Sequence, residues 1–316
     1  MAKRNWLGVG AGVAAAGAGL ALFSQWAGRR AERQAPADGS FIDVDGARLH
    51  YLDIAEGPAI VLIHGLGGQL RNFTYALTER LPGHRLIVID RPRSGYSTVP
   101  AGVEPGLKDQ ADLIAQAIRA LGLDRPLLVG HSLGSAVSLA LALDHPGLVS
   151  ALALIAPLTQ PQTEVPAAFR GLAAGGASKV ARTLIANFVA VPLGAATGKA
   201  TTEAVFAPEP APDDFAVKGG GVLALRPGNV YAAIFELQAA SEEMGGIAAR
   251  YGELTLPVSI LYAREDAILD PVLHGETTAA AIPHARLELV DGGHMLPVTQ
   301  PDATAAFIRT ARTPAA

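Results

Sequence analysis

One serine in this chain is flanked by glycines at two-residue distance on both sides, in the pentapeptide GHSLG at 130–134. The apolar residues 127–129 before it are typical of a buried strand, and an apolar run typical of a helix follows from Ala136. A G-x-S-x-G pattern between strand and helix indicates a sharp turn that presents the serine as a nucleophile. We therefore predict that Ser132 attacks a carbonyl carbon.

The two glycines have a steric reason to be there. In so tight a turn the serine backbone is strained, and side chains at Gly130 and Gly134 would collide with the neighbouring helix and strand. The turn also places the hydroxyl at a helix N-terminus, where partial positive charge favours a developing anion. A chance match would make Ser132 a plain helix N-cap. The strand before it and the helix after it favour the nucleophile.

A serine nucleophile needs a histidine base, and the chain has eight histidines. His294, in VDGGHMLP, follows the last predicted strand at the carboxyl edge of the sheet, where sites of α/β proteins lie. His131 is predicted to point away from its neighbour Ser132, and His64 to shape a loop. We predict His294 as the base.

The carboxylate that orients the base is expected at the end of the preceding strand, in LYAREDAILDP. Asp266 lies just past the strand end, before an apolar pair that can anchor the loop. Asp270 is predicted as a helix N-cap before Pro271, and Asp291 as a turn residue. Asp266 is therefore the predicted acid, although Glu265 is adjacent to it.

These residues require a sheet to hold them. Apolar strand-like runs alternate with helical patterns, which predicts βαβ units and a mostly parallel sheet with helices on both faces. A hairpin is predicted over 41–54, turning at Asp45-Gly46. The other predicted strands are 59–65, 85–90, 126–130, 150–157, 256–263 and 285–290, and the predicted helices are 72–81, 106–123, 133–144, 271–282 and 301–312.

The alternation stops between about 158 and 252, in a stretch rich in Ala, Gly and Pro that is too long for a loop. We predict an inserted, mostly helical cap over 158–252. The predicted division is thus an N-terminal segment and polar linker at 1–40, a core at 41–157 and 253–316, and the cap between the two core parts.

The N-terminal segment carries 24 uncharged residues at 5–28, enough to span a bilayer. Trp6 and Trp26 lie where interfacial aromatic residues belong, and basic residues flank both ends. A cleaved signal peptide is the alternative, but its small-residue site APA at 35–37 lies far from the apolar run. The sequence favours an uncleaved membrane anchor, and predicts a membrane-anchored or exported protein of open orientation.

Composition excludes several classes of function. A net charge of −4 and a pI near 6.1 leave no basic surface for nucleic acid. The chain has no cysteine, which excludes disulfides, thiolate metal sites and cysteine nucleophiles. A serine, histidine and aspartate mechanism requires no metal and no organic cofactor, so none is predicted. Oligomeric state stays open.

Residues 41–312 resemble the α/β-hydrolase superfamily, and are similar to its small bacterial esterase, lipase-like and haloperoxidase-like members. Five motifs carry the resemblance: HGLGG at 64–68, DRPRSGYS at 90–97, GHSLGS at 130–135, REDAILDP at 264–271 and GGHMLP at 292–297. It implies an α/β-hydrolase fold and backbone N–H groups of Leu66 and Leu133 that bind the oxyanion. It also implies that DRPRSGYS is structural.

The expected reaction is hydrolysis of a carboxylic ester through a covalent acyl-enzyme. The apolar cap and anchor favour an uncharged small-molecule ester, with a short-to-medium acyl chain or derived from a lipid. Cofactor-free haloperoxidase or perhydrolase activity and C–C bond hydrolysis use the same three residues, so they stay open. The non-enzyme alternative is a catalytically silent, membrane-tethered binding protein.

Overall fold

Eight strands form a single sheet in the computed structural model, which describes residues 2–162, 164–173 and 178–311, with side chains from residue 15 onward. The strands are β1 (Ser40–Val44), β2 (Ala47–Ile54), β3 (Ala59–Ile63), β4 (Arg85–Ile89), β5 (Leu127–His131), β6 (Ala151–Ile155), β7 (Val258–Ala263) and β8 (Arg286–Val290). Their order is β1-β2-β4-β3-β5-β6-β7-β8. β1 and β2 are antiparallel to their neighbours, and β3 to β8 run parallel.

Helices surround this sheet. They are α1 (Ala2–Gln34), α2 (Arg71–Thr74), α3 (Leu107–Ala120), α4 (Leu133–Asp144), α5 (Arg170–Ala173), α6 (Lys179–Ile185), α7 (Val191–Phe206), α8 (Phe215–Lys218), α9 (Pro227–Ala248), α10 (Thr277–Ala281), α11 (Leu296–Thr299) and α12 (Pro301–Thr310). Shorter 3₁₀ turns lie at Thr78–Arg80, Ala167–Phe169, Gly221–Leu225 and Tyr251–Glu253, and π turns at Ala186–Ala190 and Val272–Glu276.

The sheet buries both of its faces. Because side chains alternate along a strand, Leu128 packs on one face, in a core with Ile114 of α3 and Leu139 of α4. Its neighbours in β5 pack on the other face, with Phe73 of α2 and Phe307 of α12. The predicted mostly parallel sheet with helices on both faces is confirmed.

The predicted hairpin is confirmed, since β1 and β2 turn at Asp45 and Gly46, both at positive φ. The segment predicted as a helix over 72–81 splits into α2 and the turn Thr78–Arg80. The helix predicted over 271–282 is confirmed, since residues 271–281 are helical throughout and the π turn Val272–Glu276 leads directly into α10. Pro82 and Pro283 follow these two segments, and a proline disfavours helical backbone in the residue before it.

Helices α5 to α9 lie between β6 and β7, and no strand occurs among the described residues of 158–252. We call 158–252 the cap segment. Helix α9 of the cap segment has 22 residues and packs on the core beside α3 and α4. The cap segment is thus bound to the same helix layer that covers β5.

The N-terminal helix differs from the predicted linker, because α1 continues through Gln34 before Pro36. The residues after the apolar run, rich in Ala, Arg and Glu, are good helix formers. Ser24 Oγ donates to the Asn187 carbonyl at 2.6 Å, and Ala31 and Ala35 are buried beside Leu223. The C-terminal part of α1 is therefore packed on the cap segment. The predicted flanking residues Lys3, Arg4 and Trp6 lie outside the described side chains.

Among the described residues, the helical stretch Lys179–Phe206 is long and apolar enough to cross a bilayer by length and composition, with a mean hydropathy of 1.4. Only 17% of its most apolar window is buried. Large apolar side chains are exposed on it and on α1: Val180, Leu184, Val189, Leu193, Leu20, Leu22, Phe23 and Trp26.

Leu128→Ala will lower the free energy of unfolding by about 2–5 kcal/mol, because it opens a cavity in a fully buried strand. Leu273→Ala is the matched control, since Leu273 is 39% exposed and its loss is expected to cost at most about 1 kcal/mol. Urea unfolding followed by circular dichroism measures both. Equal losses in the two variants would contradict the buried position of β5.

Candidate active site

Ser132 lies between the last residue of β5 and the first residue of α4, with φ +54° and ψ −123°. A non-glycine residue with positive φ is strained and persists only where its surroundings fix it. Here the Ser132 N–H donates to the Ile155 carbonyl at 3.0 Å, and the Ser132 carbonyl accepts from Leu158 at 3.1 Å. The neighbouring strand β6 and the residues after it thus fix the strained turn.

Gly130 and Gly134 are required on steric grounds, because a Cβ fits at neither position. A Cβ at Gly134 would lie 2.1 Å from the Ile63 carbonyl oxygen, and a Cβ at Gly130 would lie 2.6 Å from the Ser135 Cα. Both neighbours are backbone atoms of packed elements, so they cannot move aside cheaply. The steric reason that we inferred from the sequence matches these distances.

Asp266 and His294 are brought together from the ends of β7 and β8. His294 Nδ1–H donates to Asp266 Oδ2 at 2.7 Å, and both residues are buried. The other carboxylate oxygen accepts from the N–H groups of Ile268 at 2.8 Å and Leu269 at 3.1 Å. The backbone of the apolar pair Ile268-Leu269 therefore holds one carboxylate oxygen of Asp266. The other oxygen is left to accept from His294.

Burial raises the pKa of Asp266, but the charge and hydrogen bond of His294 and the two backbone N–H groups outweigh it. The net effect holds the pKa of this carboxyl below its ordinary value. Asp266 is therefore ionised at neutral pH. An ionised carboxylate on Nδ1 leaves Nε2 of a neutral His294 free to accept a proton.

The loop that carries His294 is held by two residues that the sequence analysis did not identify. His131 Nε2–H donates to the His294 carbonyl at 3.0 Å, and the two rings lie 5.1 Å apart. Glu209 of the cap segment accepts from the Gly293 N–H at 3.0 Å. Burial and the charge of His294 lower the pKa of His131 to about 3, so it is neutral and acts as a structural donor.

His131 was predicted only to point away from Ser132, but its ring links the serine turn to the histidine loop. Ser132 Oγ and His294 Nε2 form no hydrogen bond in the described part of the chain. In unliganded sites such a bond is often long and tightens only when substrate binds. Asp266 is thus bonded directly to His294, and His294 is bonded to the serine turn through His131, the residue before Ser132.

The predicted oxyanion donors lie beside the serine. A Cβ at Gly65 would lie 2.9 Å from the Ser132 Cβ, so the backbone leading to Leu66 runs against the serine side chain. The Leu133 N–H is the first of α4. Within the described ranges, neither the Leu66 nor the Leu133 N–H donates a hydrogen bond. Both N–H groups are therefore without a protein acceptor in this part of the chain.

Among the described side chains, no group of three or more His, Cys, Asp or Glu residues is arranged to hold a metal ion. His50 and Asp90 form a separate buried pair at 2.7 Å beneath the turn that follows β4. The Asp90 carboxylate also accepts from the backbone of Leu70 and Tyr96, as expected of a structural residue in DRPRSGYS.

Comparison with known proteins identifies the family of the fold. A family model described as alpha/beta hydrolase fold matches residues 58–301. The chain is 33% identical over 140 residues to a dihydrolipoyllysine-residue acetyltransferase component of the acetoin cleaving system of Cupriavidus necator. That match covers 44% of this chain and only 37% of the relative.

Two longer matches cover nearly the whole of the other protein. One is RutD of Pseudomonas savastanoi, named provisionally as a carbamate hydrolase, 26% identical over 80% of this chain and 93% of the relative. The other is the solved structure of the esterase EaEST from Exiguobacterium antarcticum, 22% identical with a TM-score of 0.67, covering 87% of this chain and 99% of that one. At that identity, the structural likeness shows the fold.

Asp266→Asn will change how stability depends on pH. A carboxylate whose pKa is depressed stabilises the fold fully above its ordinary pKa of 3.8, and this contribution is lost as pH falls through the lower native value. We therefore expect the difference in unfolding free energy between the native chain and Asp266→Asn to shrink as pH falls from about 7 to about 3. Asp302→Asn, at a side chain 85% exposed, is the control. A difference that stays constant across this range would contradict the assignment.

Proposed function

The chain belongs to the alpha/beta hydrolase fold family, and we propose that it is a serine hydrolase that cleaves carboxylic esters through Ser132, His294 and Asp266. The observation that carries the proposal is the buried 2.7 Å bond between Asp266 and His294, held by His131 against the strained turn of Ser132. A strained serine beside a histidine and carboxylate pair is the arrangement that activates a hydroxyl. The hydrolase names among its relatives support the same class.

In the proposed acylation, Ser132 Oγ forms a bond to the ester carbonyl carbon while His294 Nε2 takes the hydroxyl proton. The carbonyl π electrons move to oxygen, and the Leu66 and Leu133 N–H groups bind the resulting oxyanion. The C–O bond to the alcohol then breaks, and imidazolium His294 protonates the leaving oxygen. Asp266 holds the correct tautomer and stabilises the imidazolium throughout.

Deacylation repeats these steps with water. His294 takes a proton from the water as its oxygen attacks the acyl carbon, and the bond to Ser132 Oγ breaks as that oxygen regains a proton. Each oxyanion donor contributes about 10²–10³ in rate where such donors have been measured. The unpaired N–H of Leu133 at the start of α4 adds the favourable field of the helix terminus.

Apolar surroundings support an uncharged substrate. Met295, adjacent to His294, packs with Phe206 and Phe215 of the cap segment, and Phe206 is almost completely buried. Leu133 is buried in the main apolar core, and Leu66 packs against that core. A charged acyl group would lose its hydration in such a site without gaining a partner. We therefore propose apolar esters of short-to-medium chain length, or esters derived from lipids, as substrates.

We also propose that α1 stays on the mature protein and anchors it to a membrane. Cleavage after Ala37 would remove the packing of Ala31 and Ala35 on the cap segment. It would also remove the ion pair between Glu32 and Arg226, at 2.8 Å. Beyond this packed end, the exposed apolar side chains of α1 and of Lys179–Phe206 present a surface suited to lipid.

A fluorophosphonate probe tests the nucleophile, because it reacts only with an activated serine. Intact-mass analysis of the native chain is expected to show one adduct, and Ser132→Ala none. Ser138→Ala is the control, since its buried hydroxyl donates to the Gly134 carbonyl at 2.8 Å and is predicted to keep the adduct.

An unlabelled native chain that is well folded would contradict the serine hydrolase assignment and favour the silent binding protein. An adduct that persists in Ser132→Ala would place the nucleophile elsewhere. Once labelling is established, a series of p-nitrophenyl esters of increasing acyl length tests the substrate class. Equal turnover of charged esters and apolar acyl esters would contradict it.

Membrane attachment is tested by carbonate extraction of membranes from a bacterial expression host, followed by intact-mass analysis. The uncleaved chain is expected in the pellet, because a spanning apolar helix resists extraction. A soluble chain that begins after Ala37 would overturn the anchor and support the signal-peptide alternative.

A further inference from the structure

Arg91, the second residue after β4, has no solvent exposure although it carries a full charge. Its guanidinium binds Glu236 of α9 with both arms, Nη1 to Oε1 at 2.6 Å and Nη2 to Oε2 at 3.0 Å. Glu236 is 1% exposed, and Gln110 accepts a further bond from Nη1 at 2.7 Å. A charge pair this deep in the protein joins the cap segment to the sheet.

The same arginine binds the loop that leads to the predicted oxyanion donor. Arg91 Nε–H donates to the His64 carbonyl at 2.8 Å, and Nη2–H donates to the Gly65 carbonyl at 3.0 Å. The Arg91 backbone N–H donates to His64 Nε2 at 3.0 Å. Three N–H groups of Arg91 thus fix the carbonyls of His64 and Gly65 and the side chain of His64, in the loop between β3 and Leu66.

The Gly65 carbonyl and the Leu66 N–H belong to one peptide group, which is planar and trans. In such a group the carbonyl and the N–H point in opposite directions. Holding the Gly65 oxygen on Arg91 therefore turns the Leu66 N–H away from Arg91, and that N–H donates no bond within the described part of the chain. The His64 ring adds to this constraint, since its Nδ1–H also donates to the Gly65 oxygen at 2.9 Å.

We infer that Arg91 and Glu236 are positioning residues, which set the direction of the Leu66 N–H that receives the oxyanion. This inference rests on the proposed function of Ser132. Arg91 acts on the peptide group of the oxyanion loop, and Glu236 holds both arms of its guanidinium in the orientation that reaches the two carbonyls. Glu236 thereby acts on the reaction from the cap segment through Arg91, without itself contacting the substrate.

This arrangement requires a neutral His64 ring, with one nitrogen that accepts and one that donates. Burial and the charge of Arg91 place the pKa of His64 well below its ordinary value. The ring is therefore neutral, and it can accept from the Arg91 N–H on one side while it donates to the Gly65 oxygen on the other. His64 completes the support of the peptide group and does not compete with His294 as a base.

Stability alone is a poor reason for this pair. Removing two charges from water costs several kcal/mol per ion, and well-packed apolar residues of similar size often stabilise a fold equally well. The fork of the guanidinium, by contrast, has no apolar equivalent, because only paired N–H donors can hold two carbonyls in place. The double variant Arg91→Met/Glu236→Leu separates these two roles.

The double variant is compared with Arg182→Met/Glu104→Leu. Arg182 and Glu104 form a second pair between the cap segment and the core, at 2.8 Å, with Arg182 buried and Glu104 partly buried. No hydrogen bond joins this pair to residues 64–68 within the described part of the chain. Two rates are measured: the second-order rate of fluorophosphonate labelling of Ser132, and kcat with KM for p-nitrophenyl butyrate. Thermal unfolding shows that each variant is folded.

We expect Arg91→Met/Glu236→Leu to lose about 10-fold to 10²-fold in labelling rate and in kcat, with KM changed less than about 3-fold. A donor that acts only in the transition state produces this pattern. Arg91→Lys keeps the charge but lacks the fork, so an intermediate loss is expected. The control pair is expected to retain the native rates.

Native rates in the double variant would overturn the inference and leave the proposed function intact. An equal loss in the control pair would overturn it too, since any break between cap and core would then suffice. Absence of labelling in the native chain overturns both. If the double variant does not fold, Glu236→Gln decides the same question, because it keeps the shape of Glu236 and a drop in kcat at constant KM is again expected.

Discussion

At Ser132 the chain must change from a buried strand to a buried helix within a single residue. That change requires a positive φ at the serine and backbone contacts at Gly130 and Gly134 that leave no room for a Cβ. The neighbouring strand β6 fixes the turn through the Ile155 carbonyl. The loop that carries His294 and the loop at 64–68 are then arranged around a serine whose position is set by packing, so the hydrogen bonds of these two loops determine the geometry of the site.

Those hydrogen bonds come from both parts of the chain. On the core side, His131 holds the His294 carbonyl and the backbone after Asp266 holds its carboxylate. On the cap side, Glu209 binds the Gly293 N–H, and Gln69 and Asn72 of the core both donate to the Gly219 carbonyl. The cap segment is therefore bound to the site by specific polar contacts as well as by apolar packing.

Much of this arrangement could be predicted from the sequence, because it depends on local patterns. The strands were visible as apolar runs, the turn at Ser132 as two glycines, and Asp266 and His294 as polar residues just beyond strand ends. The α/β-hydrolase fold is confirmed, while the catalytic roles and the domain division stay predictions that the observed geometry supports.

Other features depend on contacts between distant residues, which no local pattern reports. The resemblance implies a structural turn at 90–97, but nothing near Arg91 in the sequence indicates Glu236 as its partner. The sequence predicts the direction of His131 relative to Ser132, whereas its contact with the His294 carbonyl depends on how β5 and the loop after β8 approach each other. The sequence also predicts a polar linker after the apolar run, but α1 continues to Gln34 with Ala31 buried against the cap segment.

The pair of Arg91 and Glu236 joins positions 145 residues apart, one in the core and one in the cap segment. A substitution that removes the charge at one of these positions leaves the other charge buried and without a partner. A cap segment without a carboxylate at position 236 would therefore leave the Arg91 guanidinium buried without its counter-charge. Any redesign of this face of α9 has to treat positions 91 and 236 as a single unit.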